Sequence, residues 1–209
     1  VVLQAGENAT VTFTNTKLPT MTVSKVSIGG TDSFAFTGTN GFTATNVTTE
    51  DDGVAIAAAE QVLTAANTAT SVTESVPPPP YALTGISCTG MGPGGTATPN
   101  LATRTIALNA AATAPGSEIN CTFTNTVQPQ LKLVKTAGAS SFAVGVASSY
   151  TLTLNNTGPV ATTAPATISD TVPATLTLGT MPAGCIATGQ VVSCAVLVDQ
   201  RRPSDRAAW

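Results

Sequence analysis

Three residues with reactive side chains fall where the interior of a β-sheet protein is predicted. Successive side chains of a strand point to opposite faces, so alternating apolar residues mark the buried face. Lys25, Glu74 and Asn125 each occupy that apolar parity. Their neighbours of the same parity are Met21 and Val23 for the lysine, Val72 and Val76 for the glutamate, and Cys121 and Phe123 for the asparagine.

Burial of these polar groups predicts a reaction between them. A lone buried charge is costly, so each group requires a partner. Burial makes a lysine easier to deprotonate and a carboxylic acid harder to ionise. A neutral Lys25 amine can then attack the Asn125 carboxamide, while Glu74 moves protons and polarises the carbonyl. The product is an isopeptide cross-link with ammonia released; the alternative is that all three are hydrogen-bonded structural residues.

Residues for the turnover of a substrate are not found. The chain has no His for a catalytic triad, no phosphate-binding Gly-rich motif and no cluster of pocket carboxylates. Glu50, Asp51 and Asp52 have the chemistry of a calcium site, but a solvated turn is the preferred interpretation. We therefore expect a protein that is not an enzyme, with no metal site and no cofactor.

Low charge content limits the classes of partner. Only 9% of the 209 residues are charged, and the net charge is −3. The basic footprint of a nucleic-acid-binding protein is absent. There is no run of about 18 apolar residues for a membrane span, and no signal peptide. If the protein is exported, we expect a mature or internal segment.

The four cysteines predict two disulfides. Cys88 and Cys121 form one local pair, and Cys185 and Cys194 form the other. Neither pair has the spacing of a zinc or thioredoxin-like motif. Two disulfides within domains indicate an oxidising compartment; the alternative is four buried free thiols.

A long-period repeat predicts tandem domains. Residues 6–16 (GENATVTFTNT) and 116–126 (GSEINCTFTNT) are similar and stand 110 positions apart. A fixed period of this length favours units joined head to tail. We predict that residues 1–16 are the terminal strand of a preceding unit or a donor strand. Residues 17–127 then form a whole unit, residues 128–198 form a partial unit, and residues 199–209 form a tail.

The elements that must position the reactive residues are predicted to be antiparallel strands. Apolar residues alternate with Thr and Ser around Val11 and Phe13, Met21 and Val23, and Phe34 and Phe36. Turn residues interrupt them at Asn40-Gly41, at residues 51–53 and at residues 77–80. Residues 54–66 favour weak strand and loop over a short helix. The first full unit is expected to be a β-sandwich of about seven strands.

The first unit resembles a known family. Residues 74–81, ESVPPPPY, are similar to the E-t-x-x-P-x-x-Y motif of B-type repeats in collagen-binding and pilin proteins of bacterial surfaces. The resemblance covers roughly residues 17–127 and implies a prealbumin-like β-sandwich with a first-strand lysine and a final strand ending F-x-N-T. Lys25, Glu74 and Asn125 fall at the matching positions. Cys88 and Cys121 are additions to that pattern.

The second unit resembles a different repeat. LKLVKT, SYTLTLNNTGP and ATISDTVPATLTL are similar to the conserved-repeat domain of long bacterial surface proteins, which implies an immunoglobulin-like sandwich. Lys135, Asn156, Gly158, Asp170 and Pro173 match that family. Lys135 with Asp170 would be half of a second cross-linking site. An ordinary salt bridge is preferred because no asparagine partner is identifiable.

The chain's last residues change composition abruptly. Residues 199–209, DQRRPSDRAAW, hold three of the eight basic residues and the only Trp. This predicts a tail, a vector-derived remnant or a frame change, and leaves the second sandwich without its final strand. An open edge is a template for strand addition. Residues 1–16 of another subunit would fill it in a head-to-tail filament, with Asn15 reaching Lys135.

The predicted function is structural. We expect a non-enzymatic protein, extracellular or at the cell surface, that serves as a repeat module of a bacterial stalk, pilus or adhesin fibre. Its partners would be neighbouring repeats or identical subunits, with a host or surface receptor in addition. The alternatives are a filament subunit joined by strand donation, and a ligand-binding adhesin or an ice-binding surface using rows of Thr.

Overall fold

The chain consists of β-strands, which confirms the predicted fold class. The computed structural model describes residues 2, 4–141 and 143–198, together with the backbone of residues 203–208. Contacts divide the chain into unit 1 (Val1–Pro78 and Leu83–Asn125) and unit 2 (Pro79–Ala82 and Thr126–Trp209). No helix in the described ranges is long and apolar enough to cross a bilayer.

Ten strands and a single turn of 3₁₀ helix (Ala110–Thr113) come before unit 2's own strands. The strands are β1 (Thr20–Ile28), β2 (Ser33–Gly38), β3 (Thr45–Thr48), β4 (Ile56–Ala57), β5 (Gln61–Val62), β6 (Thr70–Glu74), β7 (Tyr81–Thr89), β8 (Ala97–Asn100), β9 (Thr105–Leu108) and β10 (Glu118–Val127). One sheet has the order β4–β1–β10–β7, with β5 also paired to β1, and the other has the order β3–β2–β6–β9–β8. The prediction of about seven strands was too low, since it did not resolve short pairings such as β4 and β5.

Alternating apolar residues fill the space between these two sheets. Met21 and Val23 of β1, Phe34 and Phe36 of β2, and Phe123 of β10 are each at most 1% exposed. The rings of Phe36 and Phe123 meet edge to face with their centroids 5.0 Å apart. Such aromatic contacts add to the stabilisation from buried area. The strand parity therefore predicted this core correctly.

Turns and short pairings follow the predicted chemistry. Asn40 and Gly41 both have positive φ, 55° and 80°, which Asn and Gly adopt most readily. The Asn40 side chain accepts a hydrogen bond from the backbone N–H of Ala65 and donates one to its carbonyl oxygen. Residues 54–66 form β4, β5 and connecting loop rather than a helix, as predicted.

β10 lies between β1 and β7 in its sheet. The Thr20 N–H donates to the Ser117 carbonyl, 2.8 Å away, and the Ser24 hydroxyl donates to Asn120 Oδ1, 2.9 Å away. Because the residue numbers rise together along both strands, β1 and β10 run in the same direction. This parallel pair departs from the purely antiparallel prediction.

Residues 6–16 form no strand in the described part of the chain, and Val11 and Phe13 are 71% and 85% exposed. The predicted terminal strand of a preceding unit, or donor strand, requires a second sandwich and stays a prediction. The expected burial of Val76 was wrong. Val76 is 76% exposed, because β6 ends at Glu74 and the alternation does not continue into residues 77–80. Residues 1 and 3 of the predicted terminal strand lie outside the described residues.

Unit 2 contains two three-stranded sheets in the described part of the chain. Its strands are β11 (Leu131–Ala137), β12 (Tyr150–Asn156), β13 (Ala166–Thr171), β14 (Cys185–Thr188), β15 (Val191–Val196) and β16 (Pro203–Ala208). The sheets have the orders β11–β12–β16 and β13–β15–β14. Leu152, Leu154, Ile168, Val192 and Val198 belong to the core that they enclose.

The predicted tail requires a correction. The backbone of β16 pairs antiparallel with β12, so six residues of the segment extend a sheet. Edge strands present unpaired N–H and C=O groups, and an extended backbone satisfies them whatever its side chains are. The edge of β12 on this side is therefore occupied rather than open. Residues 199–202 and 209 of the predicted tail lie outside the described residues.

Candidate cross-linking site

Three strands from both sheets of unit 1 bring Lys25, Glu74 and Asn125 together. Lys25 stands in β1 and Asn125 in β10, which are neighbours in one sheet, whereas Glu74 is the last residue of β6 in the other sheet. Glu74 therefore reaches across the interior toward the pair. All three residues are 0% exposed.

One carboxylate oxygen of Glu74 contacts both of its partners. Lys25 Nζ lies 3.0 Å from Glu74 Oε1, and Asn125 Nδ2 donates to the same oxygen at 3.0 Å. Lys25 Nζ also donates to the backbone carbonyl of Phe123, 3.3 Å away. The amine and the carboxamide thus contact the same oxygen atom, and such proximity favours a reaction between two bound groups.

Two polar atoms of this cluster have no hydrogen-bond partner. They are Glu74 Oε2 and Asn125 Oδ1, both buried. Buried polar atoms are nearly always paired, so each exception calls for an explanation. Both atoms are hydrogen-bond acceptors. Asn125 Oδ1, the oxygen that gains charge when an amine attacks the carboxamide, is therefore not yet bound by a donor.

Apolar surroundings favour the reactive form of the lysine. Burial lowers the pKa of Lys25 from 10.5 to about 8, because desolvation of the ammonium outweighs the attraction of the Glu74 carboxylate. Lys25 Nζ also lies 4.3 Å from the centroid of the Phe34 ring. A larger fraction of the folded protein than of the unfolded chain therefore carries the neutral amine near neutral pH.

Both predicted disulfides are present, and no described cysteine is free. The alternative of four free thiols was therefore wrong. Cys88 of β7 is bonded to Cys121 of β10, and Cys185 of β14 to Cys194 of β15. The Cys88–Cys121 bond joins β10 to β7, which is the neighbour of β10 on the side away from β1. It therefore fastens a different pair of strands from the one that a Lys25–Asn125 bond would fasten.

The weaker candidate site in unit 2 is an ion pair between its two sheets. Lys135 Nζ lies 2.7 Å from Asp170 Oδ2 and 4.5 Å from the centroid of the Tyr150 ring. The Lys135 side chain is 39% exposed, so water competes for it. The third matching polar residue, Asn156, accepts hydrogen bonds from the N–H groups of Gln130 and Gly158, which is a structural role. Asn15, the remaining candidate, is exposed in residues 6–16.

Residues considered for metal binding form a turn. The Gly29 N–H donates to Asp52 Oδ1, 2.8 Å away, and the described residues contain no group of three potential ligands close together.

Sequence reasoning missed two groups that position Lys25. The Phe34 ring and the Phe123 carbonyl both contact its ammonium. Phe34 lies on the core parity of its strand, which was a usable signal for an aromatic wall. The carbonyl contact depends on the pairing of β1 with β10, and no local pattern indicates that pairing.

Comparison with known proteins identifies a family for residues 21–127. A family model described as a prealbumin-like fold domain, of the SpaA type, matches residues 21–127, about half of the chain. No curated protein and no solved structure gives a match. The match ends at residue 127, and the likeness of residues 128–198 to the conserved-repeat domain stays a prediction. The family is consistent with a structural module of a bacterial surface or pilus-type protein, and the two disulfides fit an extracellular setting. Through residues 21–127, the chain belongs to the SpaA-type family of prealbumin-like fold domains.

Proposed function

We propose that this protein is a non-enzymatic structural module of a bacterial stalk, pilus or adhesin fibre, closed by an amide bond between Lys25 and Asn125. The observation that carries this proposal is the shared contact of both reactive groups with Glu74 Oε1 at 3.0 Å in a site that is 0% exposed. A fully buried lysine, glutamate and asparagine lose their hydration on folding, which apolar residues of similar size do not. The amide bond accounts for the presence of these three residues in the core.

The reaction begins with a proton transfer inside the cluster. Lys25 passes a proton to Glu74, which leaves a neutral amine beside a carboxylic acid. The amine attacks Asn125 Cγ, while the acid donates its proton toward Oδ1 and stabilises the charge that develops there. When the tetrahedral intermediate collapses, Nδ2 takes up a proton and leaves as ammonia. One C–N bond forms and one C–N bond breaks. The proton that Lys25 gave up remains on Glu74, and Glu74 becomes ionised again when the ammonia carries that proton away as ammonium.

The position of the bond defines its mechanical role. It joins the first and last long strands of unit 1, so tension entering before Lys25 leaves after Asn125 through the amide. The 99 residues between Lys25 and Asn125 then carry no load. A module of this kind transmits force without unfolding, as a stalk or pilus requires.

Single-molecule force spectroscopy tests this role. Without the bond, unfolding of unit 1 with the Cys88–Cys121 disulfide intact releases about 70 residues, or roughly 230 Å at 3.4 Å per residue. The wild-type protein should show no such extension, and Asn125→Ala should show it. An extension of that length in the wild type would refute the proposed role.

A further inference from the structure

Residues 6–16 repeat the last strand of unit 1 without being paired. Phe13 and Asn15 stand at the positions of Phe123 and Asn125 in the copy at residues 116–126. Phe123 and Asn125 are 0% exposed in β10, whereas Phe13 is 85% exposed and residues 4–18 are exposed throughout. The segment therefore has the side chains of a buried strand in a solvated position.

The segment cannot fill the place of β10 in its own unit. In that place Thr16 would stand where Thr126 stands, nine positions beyond Ser117. Nine residues of strand span about 30 Å. Thr20, however, is fixed beside Ser117 by a 2.8 Å hydrogen bond, and the four steps from Thr16 to Thr20 reach at most about 14 Å. Because β1 and β10 are parallel, the connection is too short.

We propose that residues 6–16 are the last strand of another prealbumin-like sandwich, which they enter beside its first strand. Val11 and Phe13 then lie in that sandwich's core, as Cys121 and Phe123 do in unit 1. Asn15 lies beside that sandwich's own lysine and glutamate, as Asn125 does here. Thr12, Thr14 and Thr16 face outward. The partner is thus defined by its chemistry: a sandwich of this family with a first-strand lysine, a facing acid and no last strand of its own.

This inference extends the proposed function. The role given to Asn15 rests on the proposed amide bond, whereas the assignment of residues 6–16 as a strand does not. If both amides form, Asn15 is anchored in one sandwich and Lys25 in the next. Only the stretch between these two residues then carries tension as a single uncross-linked chain. The connection between consecutive modules can therefore extend very little under tension.

A transplant within the full chain tests the assignment. The two segments differ only at residues 117–121, which read SEINC, against ENATV at residues 7–11. The transplant replaces SEINC by ENATV and adds Cys88→Ala to avoid a free thiol. A second version keeps Ile119, because loss of its buried side chain alone destabilises a core. The matched control carries only Cys88→Ala and Cys121→Val.

Two readouts decide the outcome. At least one transplant should keep the cooperative unfolding transition of unit 1 and give the same Lys25–Asn125 linked peptide as the control. If both transplants lose the transition while the control keeps it, residues 6–16 are not a strand of this sandwich and the inference fails. If the wild type and the control both lack the linked peptide, the proposed amide fails; if only the control lacks it, the disulfide positions the site. In both cases the unfolding transition still decides the strand assignment. An Asn15–Lys135 linkage between wild-type copies would assign the segment to unit 2 instead and would also overturn the inference.

Discussion

Asn125→Ala should destabilise unit 1 far more than the loss of a side chain explains. In the chain-entropy description of cross-links, closing a loop of 100 residues stabilises a fold by about 4.7 kcal/mol. The Cys88–Cys121 disulfide already bridges 33 positions of that loop and shortens it to about 70 residues. Since the dependence on length is logarithmic, the amide still contributes about 4.4 kcal/mol. The disulfide therefore does not make it redundant.

The hydrogen bond from Asn125 Nδ2 to Glu74 adds nothing to this difference, because Nδ2 has left as ammonia in the cross-linked protein. For a domain of about 100 residues, a loss of about 4.4 kcal/mol lowers Tm by at least about 18 °C. Differential scanning calorimetry of the full chain measures it, because the transition that moves is that of unit 1.

Asn120→Ala is the matched control for this variant. Asn120 also lies in β10 and accepts one hydrogen bond, from the Ser24 hydroxyl at 2.9 Å. Its removal should cost about 1 kcal/mol. If Asn125→Ala shifts the transition no more than Asn120→Ala does, the estimate for the cross-link is refuted.

Three further predictions address the pKa of Lys25, the disulfide and unit 2. In the Asn125→Ala variant, the unfolding free energy should rise from about pH 8 toward pH 10.5. The reason is that Lys25 has a pKa of about 8 in the folded protein and 10.5 in the unfolded chain, so the unfolded chain binds more protons between these pH values. Denaturation at several pH values measures this rise, and Lys25→Met should flatten it; a flat profile before that change would contradict the lowered pKa. Replacing Cys88 and Cys121 by Ala should lower the unfolding free energy by about 3.7 kcal/mol but leave the Lys25–Asn125 amide detectable in peptide maps. If the amide disappears in this variant, the disulfide positions the site. Lys135→Ala should lower the unfolding free energy by no more than about 1 kcal/mol. A double-mutant cycle with Asp170→Ala measures the coupling between the two residues. A coupling above about 3 kcal/mol would show that the pair is more than a half-exposed salt bridge.

The reactive residues were predictable because their side-chain direction is a local property. Lys25, Glu74 and Asn125 all lie within strands, where a period of two fixes which side chains face inward. The same rule was wrong for Val76, because β6 ends at Glu74. Parity holds only as far as the strand does, and strand ends are set by pairing.

Features that depend on pairing between distant strands could not be predicted in this way. Cys88 and Cys121 were paired correctly from their positions in the chain, but the sequence does not show that the bond lies on the side of β10 opposite β1. Residues 6–16 have the pattern of a strand and yet lie unpaired, since a strand also needs a neighbour. β16 has the composition of a tail and yet pairs with β12, because strand pairing is made by backbone N–H and C=O groups and needs no apolar side-chain pattern.

Intact mass spectrometry of the fully reduced and denatured chain tests the Lys25–Asn125 bond most directly. We predict that the wild-type protein is lighter than its sequence mass by one ammonia. Lys25→Met, Asn125→Ala and Glu74→Gln should each show the full mass calculated for their own sequence. A wild-type protein at full sequence mass would contradict the cross-link, and Lys25, Glu74 and Asn125 would then be structural residues.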